Sequence, residues 1–208
     1  MKAWKAIVPL LVLLVSTSAW ADGHTIEVTG WGSYVTHTGD VDTGGSPLTI
    51  DFDSGGGAGL SIDCRFHRLL TFEVAAFFLR TRGELDFGGV KAGDLGYLDM
   101  VPLQALIQIH PAGDGPVDPY FGVGGAYVIF QNLHNVDLDR AGIGVVSIDN
   151  RFALVANAGL AFRITPHVSI ALDGRYMPLK ADSTSAAGGS QELKLNPLVA
   201  SAGFRVKF

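Results

Sequence analysis

The amino-acid sequence predicts an all-β protein, an eight-stranded antiparallel up-and-down transmembrane β-barrel. Eight segments alternate apolar and polar residues with a period of two, as half-buried strands do. Long polar connections and short turns follow these segments in strict alternation, as extracellular loops and periplasmic turns do in outer-membrane barrels. The last segment ends on Phe208, which fits a closing strand with an aromatic residue at the membrane interface.

The first 21 residues predict a secretory signal peptide. Lys2 and Lys5 form a basic start, residues 7–15 are apolar, and Ala-Trp-Ala at 19–21 predicts cleavage between Ala21 and Asp22. The alternative is a retained anchor, but the apolar run is too short to span a bilayer as a helix. The barrel domain is therefore expected to be residues 22–208.

The composition narrows the class of protein. Twenty acidic residues against 15 basic ones give a net charge of −5, which argues against a nucleic-acid partner. Mean hydropathy is high at +0.30, yet residues 22–208 contain no apolar run of membrane-helix length. This combination favours a barrel or an all-β secreted domain. The single cysteine, Cys64, excludes an intramolecular disulfide and is interpreted as a small apolar wall residue rather than a nucleophile.

The strands can be placed one after another from their alternation. They are predicted at residues 25–35, 59–66, 70–82, 98–110, 120–131, 151–164, 168–179 and 195–208. Gly, Pro, Asn and Asp mark the breaks between them, with long loops after every odd-numbered strand. Because the number of strands is even, both ends of the domain are expected on the periplasmic side.

One face of the predicted strands is apolar and has no charge in its central part. A lipid-facing Arg or Lys at mid-depth costs roughly 2–4 kcal/mol, so the absence of charge here favours a barrel that spans a membrane. Alternation alone leaves open which face points inwards. The inverted arrangement would be a soluble barrel that carries a ligand in an apolar interior.

The other face holds the charges. They are predicted to form a plug inside the barrel, made of Glu27, Asp63, Arg65, Glu73, Arg163, Asp173, Arg175, Arg205 and Lys207. Gln104, Gln108 and Asn157 lie on the same face. An eight-stranded barrel is only wide enough inside for side chains or one small ligand, so the charges are expected to pair with each other. The sequence leaves open whether these charged residues fill the interior or gate a path through it.

Strand direction places apolar residues of this inner face in the outer half of the barrel. They are Trp31, Phe77, Leu79, Val128, Val155, Met177 and Val199. The sequence leaves open whether these residues line a path for an apolar solute or simply pack beneath the loops. Pro102 and Pro197 lack the N–H that a strand donates to its neighbour, which predicts a weaker wall near the outer rim.

Several segments resemble the outer membrane protein W (OmpW) family. Pro-Tyr-Phe-Gly-Val-Gly-Gly-Ala-Tyr at 119–127 is similar to its PY-x-G-x-G-x-x-Y strand, and Leu-Asp-Gly-Arg-Tyr-Met at 172–177 is similar to its D-x-R-Y-M segment. Residues 195–208 resemble the closing L-D-P-W…F strand, with Asn196 for Asp and Leu198 for Trp. The likeness covers most of residues 22–208 and is weaker in the first strand and loop.

The resemblance implies an eight-stranded barrel in the outer membrane of a Gram-negative bacterium. In that family, a hydrophobic channel open to the outside is thought to admit small hydrophobic molecules. The channel is blocked towards the periplasm, and the solute is released sideways into the membrane. The expected partners are outer-membrane lipid, a small hydrophobic solute and the barrel-assembly machinery, with Phe208 in the closing strand as the assembly signal. No cofactor is expected.

Two other functions are weighed against this one. A structural or adhesive barrel of the OmpA/OmpX type would have its function in its extracellular loops, which here are acidic and glycine-rich. A lipid A-editing enzyme would need a histidine with a serine near the outer rim, for which the candidates are His37 and His134 with Ser33 and Ser147. No motif ties these residues together, so no catalytic residue is assigned, and no ligand spacing predicts a metal site.

Overall fold

Residues 25–38, 48–87, 90–113, 115–131, 147–184 and 190–208 are described by the computed structural model. The predicted signal peptide, the cleavage site at Ala21 and Asp22, and His134 lie outside these residues. None of the described residues forms a helix long and apolar enough to cross a membrane.

Twelve β-strands are present among the described residues. They are β1 Thr25–His37, β2 Leu48–Phe52, β3 Gly55–His67, β4 Leu70–Phe87, β5 Val90–Ile109, β6 Val117–Gln131, β7 Ser147–Ile148, β8 Arg151–Thr165, β9 Val168–Tyr176, β10 Lys180–Thr184, β11 Ser190–Lys194 and β12 Pro197–Lys207. Eight of them (β1, β3, β4, β5, β6, β8, β9 and β12) form the barrel and correspond to the eight predicted strands.

The barrel is closed and antiparallel throughout. Each barrel strand pairs with the barrel strands before and after it in the chain. The first and last strands close the sheet, with β1 and β12 in register from Glu27 opposite Lys207 to His37 opposite Pro197. The predicted fold class is therefore confirmed.

The alternation of side chains settles which face points inwards. On β8, Phe152 and Leu154 are 82% and 73% exposed, whereas Ala153 between them is 8% exposed and Val155 after them is 1% exposed. The charged and polar face is the buried one, so the apolar face looks outwards. This excludes the soluble barrel with an apolar ligand-carrying interior.

The outer end differs from the prediction. The glycine-rich stretch at 83–96 was expected to be a loop, but β4 and β5 continue through most of it and pair as far as Phe87 opposite Val90. The short β2 adds to the same extension by pairing with β4. A second small sheet holds β7, β10 and β11. Period-two alternation is weak in glycine-rich sequence, which explains why these extensions were not predicted.

The rim between β9 and β12 also differs from the prediction. β9 ends at Tyr176 rather than at residue 179, because Pro178 cannot donate to the sheet. Asn196, with a φ of 36°, follows β11 in the left-handed region that Asn tolerates. Its Oδ1 accepts a hydrogen bond from the backbone N–H of Leu179 at 3.0 Å, which fastens this corner.

Candidate functional site

The outer half of the barrel interior is apolar. Its side chains form one buried cluster, whose larger members include Trp31, Phe77, Leu79, Leu98, Met100, Val128, Phe130, Val155, Met177 and Val199. Leu79, Met100 and Val128 are each 1% exposed. The cluster is therefore closed by its own side chains, and a solute would have to displace some of them.

Glycines on neighbouring strands make room for the large aromatic rings. The Phe77 ring lies over Gly59 of β3, where a Cβ would collide with the ring. A Cβ on Gly203 would lie 2.7 Å from Trp31 Cε3 and 2.6 Å from the Gly30 carbonyl oxygen. These positions need glycine because side chain and backbone approach too closely for any larger residue.

The apolar cluster ends at Arg175. The guanidinium carbon of this side chain lies 4.8 Å from the centre of the Phe77 ring and 5.8 Å from that of Trp31. Below the rings the guanidinium bonds two carboxylates, Nη1 to Glu73 and Nε to Asp173, each at 2.6 Å. Arg175 thus joins an apolar layer to a charged one, with a cation–π contact on one side and ion pairs on the other.

Amide side chains complete the layer around Arg175. Gln104 Oε1 accepts a hydrogen bond from Arg175 Nη1 at 2.6 Å, and Gln108 Nε2 donates to Glu73 at 2.8 Å. Asn157 Nδ2 donates to Asp173 Oδ2 at 2.9 Å. Five residues from four barrel strands therefore fix the single guanidinium at mid-barrel.

Two further guanidiniums lie towards the periplasm. Arg205 is 3.3 Å from Glu27 and 3.6 Å from Asp63, and its guanidinium covers the Tyr120 ring at 5.3 Å. Arg65 pairs with Asp118 at 3.0 Å.

Carboxylates outnumber guanidiniums in this buried half. Among the described residues, five buried carboxylates face three buried guanidiniums. Neither carboxylate oxygen of Asp63 accepts a hydrogen bond from any residue that the structure describes. Such a layer can hold the barrel together and obstruct apolar solutes, because displacing its members would leave buried charges without partners.

The wall between β4 and β5 is interrupted beside the apolar cluster. The pairing runs to Ala76 opposite Leu103 and resumes at Leu79 opposite Met100. Between these pairs, Phe77 and Phe78 face Pro102 and Val101 without ladder pairing, as expected where proline has no N–H to donate. On its other side β5 remains paired, with Pro102 opposite Val128. Pro197, by contrast, is the first residue of β12 and does not interrupt the wall.

All seven residues predicted to line the outer half lie inside the barrel. Trp31, Phe77, Leu79, Val128, Val155, Met177 and Val199 are each no more than 3% exposed. The predicted plug residues divide into two groups. Glu27, Asp63, Arg65, Glu73, Asp173, Arg175 and Arg205 are buried inside, whereas Arg163 is exposed and Lys207 half-buried at the periplasmic end.

Sequence reasoning missed some members of the interior. Asp118 was left outside the predicted strands because the fifth strand was expected to begin at Tyr120, yet β6 begins at Val117. Extending the alternation by one pair of residues would have put Asp118 inside. His110, the last residue of the predicted fourth strand, is fully buried, with its Nδ1 2.8 Å from Asp118.

The residues named for other roles lie at the two ends of the barrel. Phe208 is 74% exposed at the periplasmic end, and its backbone N–H donates to the Ile26 carbonyl at 2.9 Å. Near the outer rim, the hydroxyl of Ser33 pairs with that of Ser201 at 2.8 Å. The side chain of Ser147 lies outside the described residues, as His134 does.

A model of the OmpW family matches residues 24–208. The chain belongs to the OmpW family. An OmpW-family barrel lies in the outer membrane of a Gram-negative bacterium, as the resemblance implied. No curated protein sequence matches the chain closely enough to serve as a relative.

Solved structures of similar barrels support the fold. The crystal structure of OprG from Pseudomonas aeruginosa has a TM-score of 0.74 at 20% identity, covering 89% of this chain and 96% of that one. The solid-state NMR structure of AlkL in lipid bilayers has a TM-score of 0.61 at 22% identity, covering 89% and 90%. The NMR structure of outer membrane protein W from E. coli has a TM-score of 0.54 at 18% identity, covering 90% and 100%. These identities support a shared fold, so residue roles must come from the geometry of this chain.

Proposed function

We propose that this OmpW-family barrel admits small hydrophobic molecules from outside into its apolar outer half and releases them sideways into the membrane. The observation that carries the proposal is the coincidence of two features at one depth. The apolar interior ends on Arg175, and at the same level Pro102 leaves the wall opposite Phe77 without one ladder bond.

The charged half disfavours passage straight through the barrel. An apolar molecule moving below Arg175 would have to separate Glu73 and Asp173 from their guanidinium partner. Breaking a buried ion pair leaves an uncompensated charge and costs about 3–5 kcal/mol. The solute offers no polar group to replace the lost bonds, so the periplasmic direction is closed to it.

The β4–β5 wall supports a sideways route. Separating two paired strands exposes backbone N–H and C=O groups to lipid, which costs several kcal/mol for each unsatisfied group. Opposite Phe77 one of these bonds is already missing, because Pro102 has no N–H to donate, so widening the wall there breaks fewer of them. A solute that displaces Phe77 would lie next to this gap.

The outer cluster can yield to a solute because its contacts are not directional. Apolar molecules replace apolar side-chain contacts with contacts of the same kind. Met100 and Met177 lie within the cluster, and unbranched thioether side chains adapt readily to irregular partners. The closed cluster is then a gate that a hydrophobic molecule can open.

A reversible cross-link at the gap tests the route. Phe78→Cys with Val101→Cys places two thiols opposite each other on the outward face, in a Cys64→Ala background that removes the native thiol. The matched control is Val74→Cys with Ala105→Cys, which joins the same strands at a regularly paired position. The measurement is uptake of a labelled hydrophobic solute into cells or proteoliposomes, before and after reduction.

We expect oxidation to reduce uptake by about tenfold in the cross-link at the gap, and reduction to restore it. The control cross-link should leave uptake unchanged, because it closes a part of the wall that does not open. Equal uptake with both cross-links fully formed would overturn the sideways route. Barrel-independent uptake in every variant would overturn the channel function as a whole.

A structural or adhesive barrel is the second candidate. The observation that favours it is the filled interior, from the apolar cluster down to Arg65 and Asp118. A barrel that is filled throughout needs no passage if its function resides in its loops. Correct folding without barrel-dependent uptake would select this candidate.

A further inference from the structure

Charged side chains on the outward face of the barrel are confined to one place. Among the strand positions whose outward side chains the structure describes, only Arg80 and Arg82 of β4 and Asp99 of β5 carry a charge. They are neighbours, since Arg80 is in register with Asp99 and Arg82 with Tyr97. All three face the surroundings of the barrel rather than its interior.

The two guanidiniums share one aromatic ring. That of Arg80 lies 5.3 Å and that of Arg82 5.4 Å from the centre of the Tyr97 ring. Asp99 accepts hydrogen bonds from Arg80 Nε at 2.6 Å and from Nη2 at 2.7 Å, which orients the guanidinium. No described residue hydrogen bonds its Nη1, and about half of the side chain is exposed.

The depth of this cluster matches the membrane surface. Arg80 is in register with Gly56, and Gly56 with Tyr34, an exposed tyrosine near the outer end of β1. Tyr34 lies near the outer end of β1, and Tyr97 lies in the outer half of β5, in register with Arg82. Exposed aromatic residues in the outer part of a barrel mark its interface with lipid headgroups. Outward-facing arginines are costly at mid-membrane but favourable beside anionic headgroups.

A groove of about 410 Å³ opens beside the guanidiniums, lined by Asp53, Ser54, Gly55, Gly56, Arg80, Thr81, Arg82 and Tyr97. Its rim is held in place by the backbone N–H of Asp53, which donates to the Arg82 carbonyl at 2.8 Å.

The small residues below the groove are not required by packing. A Cβ at Gly30 would meet nothing within 4 Å, and at Gly32 and Gly56 the nearest atoms would be 3.9 and 3.6 Å away. These outward glycines differ from Gly59 and Gly203, which lie under rings. Together with Ala58 they leave a shallow depression in the wall that leads from the groove towards the membrane.

We propose that the groove binds the headgroup of a phosphorylated lipid of the outer leaflet, with an acyl chain in the depression below. Two guanidiniums match the geometry and charge of a phosphate, since arginine donates paired hydrogen bonds to its oxygens. Asp99 holds Arg80 in position for this contact. The site lies on the outward face beside the proposed gap, since the Arg80 guanidinium carbon is 5.7 Å from the centre of the Phe78 ring. Lipid A binding and solute uptake are measured separately, so either proposal can fail without the other.

The test uses the full barrel in bilayer discs of phosphatidylcholine with diphosphorylated lipid A as the probe, and measures bound lipid A by native mass spectrometry. Arg80→Gln with Arg82→Gln should weaken lipid A binding by at least about tenfold. Arg68→Gln is the matched control, because Arg68 is exposed in the turn between β3 and β4 at the opposite end. Heat-modifiable migration verifies that each variant is folded.

Four further arms follow, of which the first two separate the sources of binding. Lipid A without its phosphates should bind the wild-type barrel weakly, no better than intact lipid A binds the double arginine variant. Millimolar inorganic phosphate should not displace lipid A. Asp53→Asn should tighten binding by removing a negative charge from the groove. Gly32→Val with Gly56→Val should weaken it by filling the depression. Equal binding by the double variant, or by the stripped lipid, would overturn the proposal.

Discussion

The two halves of the barrel interior are built from the same eight strands but held together by different forces. The outer half is an apolar cluster around Phe77 and Leu79, held by non-directional contacts. The periplasmic half is a set of ion pairs around Arg175, Arg205 and Arg65, each with a defined geometry. The difference indicates that the outer half can rearrange around a guest, whereas the periplasmic half resists any exchange of partners.

Removing Arg175 should have the largest effect on stability. Arg175→Met leaves Glu73 and Asp173 buried without their cation, so the free energy of unfolding should fall by about 3–5 kcal/mol. Urea unfolding in vesicles, followed by the fluorescence of Trp31, measures it. Adding Glu73→Gln and Asp173→Asn should recover most of the loss. No recovery would mean that packing against the Phe77 and Trp31 rings, rather than charge, fixes this layer.

The second-largest effect on stability is expected where an inward-facing glycine is replaced, in contrast to an outward-facing one. Gly203→Ala should cost about 1–3 kcal/mol, because its Cβ would lie 2.6 Å from a backbone oxygen that cannot move aside. Gly174→Ala faces outwards, where the nearest atom would be 3.8 Å away, and should be neutral. Both are measured by the same unfolding experiment. Equal costs would indicate that the inner wall is looser than the structure shows.

A volume-conserving substitution in each half of the interior tests how well that half tolerates a changed side chain. Leu79→Met keeps the apolar volume and should cost less than about 1.5 kcal/mol with unchanged solute uptake. Glu73→Gln keeps the shape but removes the charge that pairs with Arg175, so it should cost more than the change at Leu79. A larger cost for Leu79→Met would contradict the view that the outer half adapts.

The smallest effect should come from Asp63. Within the described part of the chain this carboxylate has no hydrogen-bond donor, and its guanidinium partner Arg205 is also paired with Glu27. Asp63→Asn therefore removes one member of an acidic surplus and should change the free energy of unfolding by less than about 1 kcal/mol. A loss as large as that of Arg175→Met would show that Asp63 is essential to the periplasmic half.

The sequence by itself determined the strands and their faces. Period-two alternation located eight strands because each one buries one face and exposes the other. Strand direction then placed the apolar residues in the outer half of the interior and most of the charges in the periplasmic half. Segments without strong alternation were predicted poorly, as with the glycine-rich extension of β4 and β5 and the start of β6 before Tyr120.

Only the tertiary structure decided which residues meet. Arg175 is separated from Glu73 by 102 residues, and the two come together because strands β4 and β9 face each other across a closed barrel. The sequence showed that Pro102 lacks a donor, but the register alone placed the gap beside Phe77. Alternation fixes the side of the sheet that a residue occupies, whereas its height and its partners depend on the stagger of all eight strands.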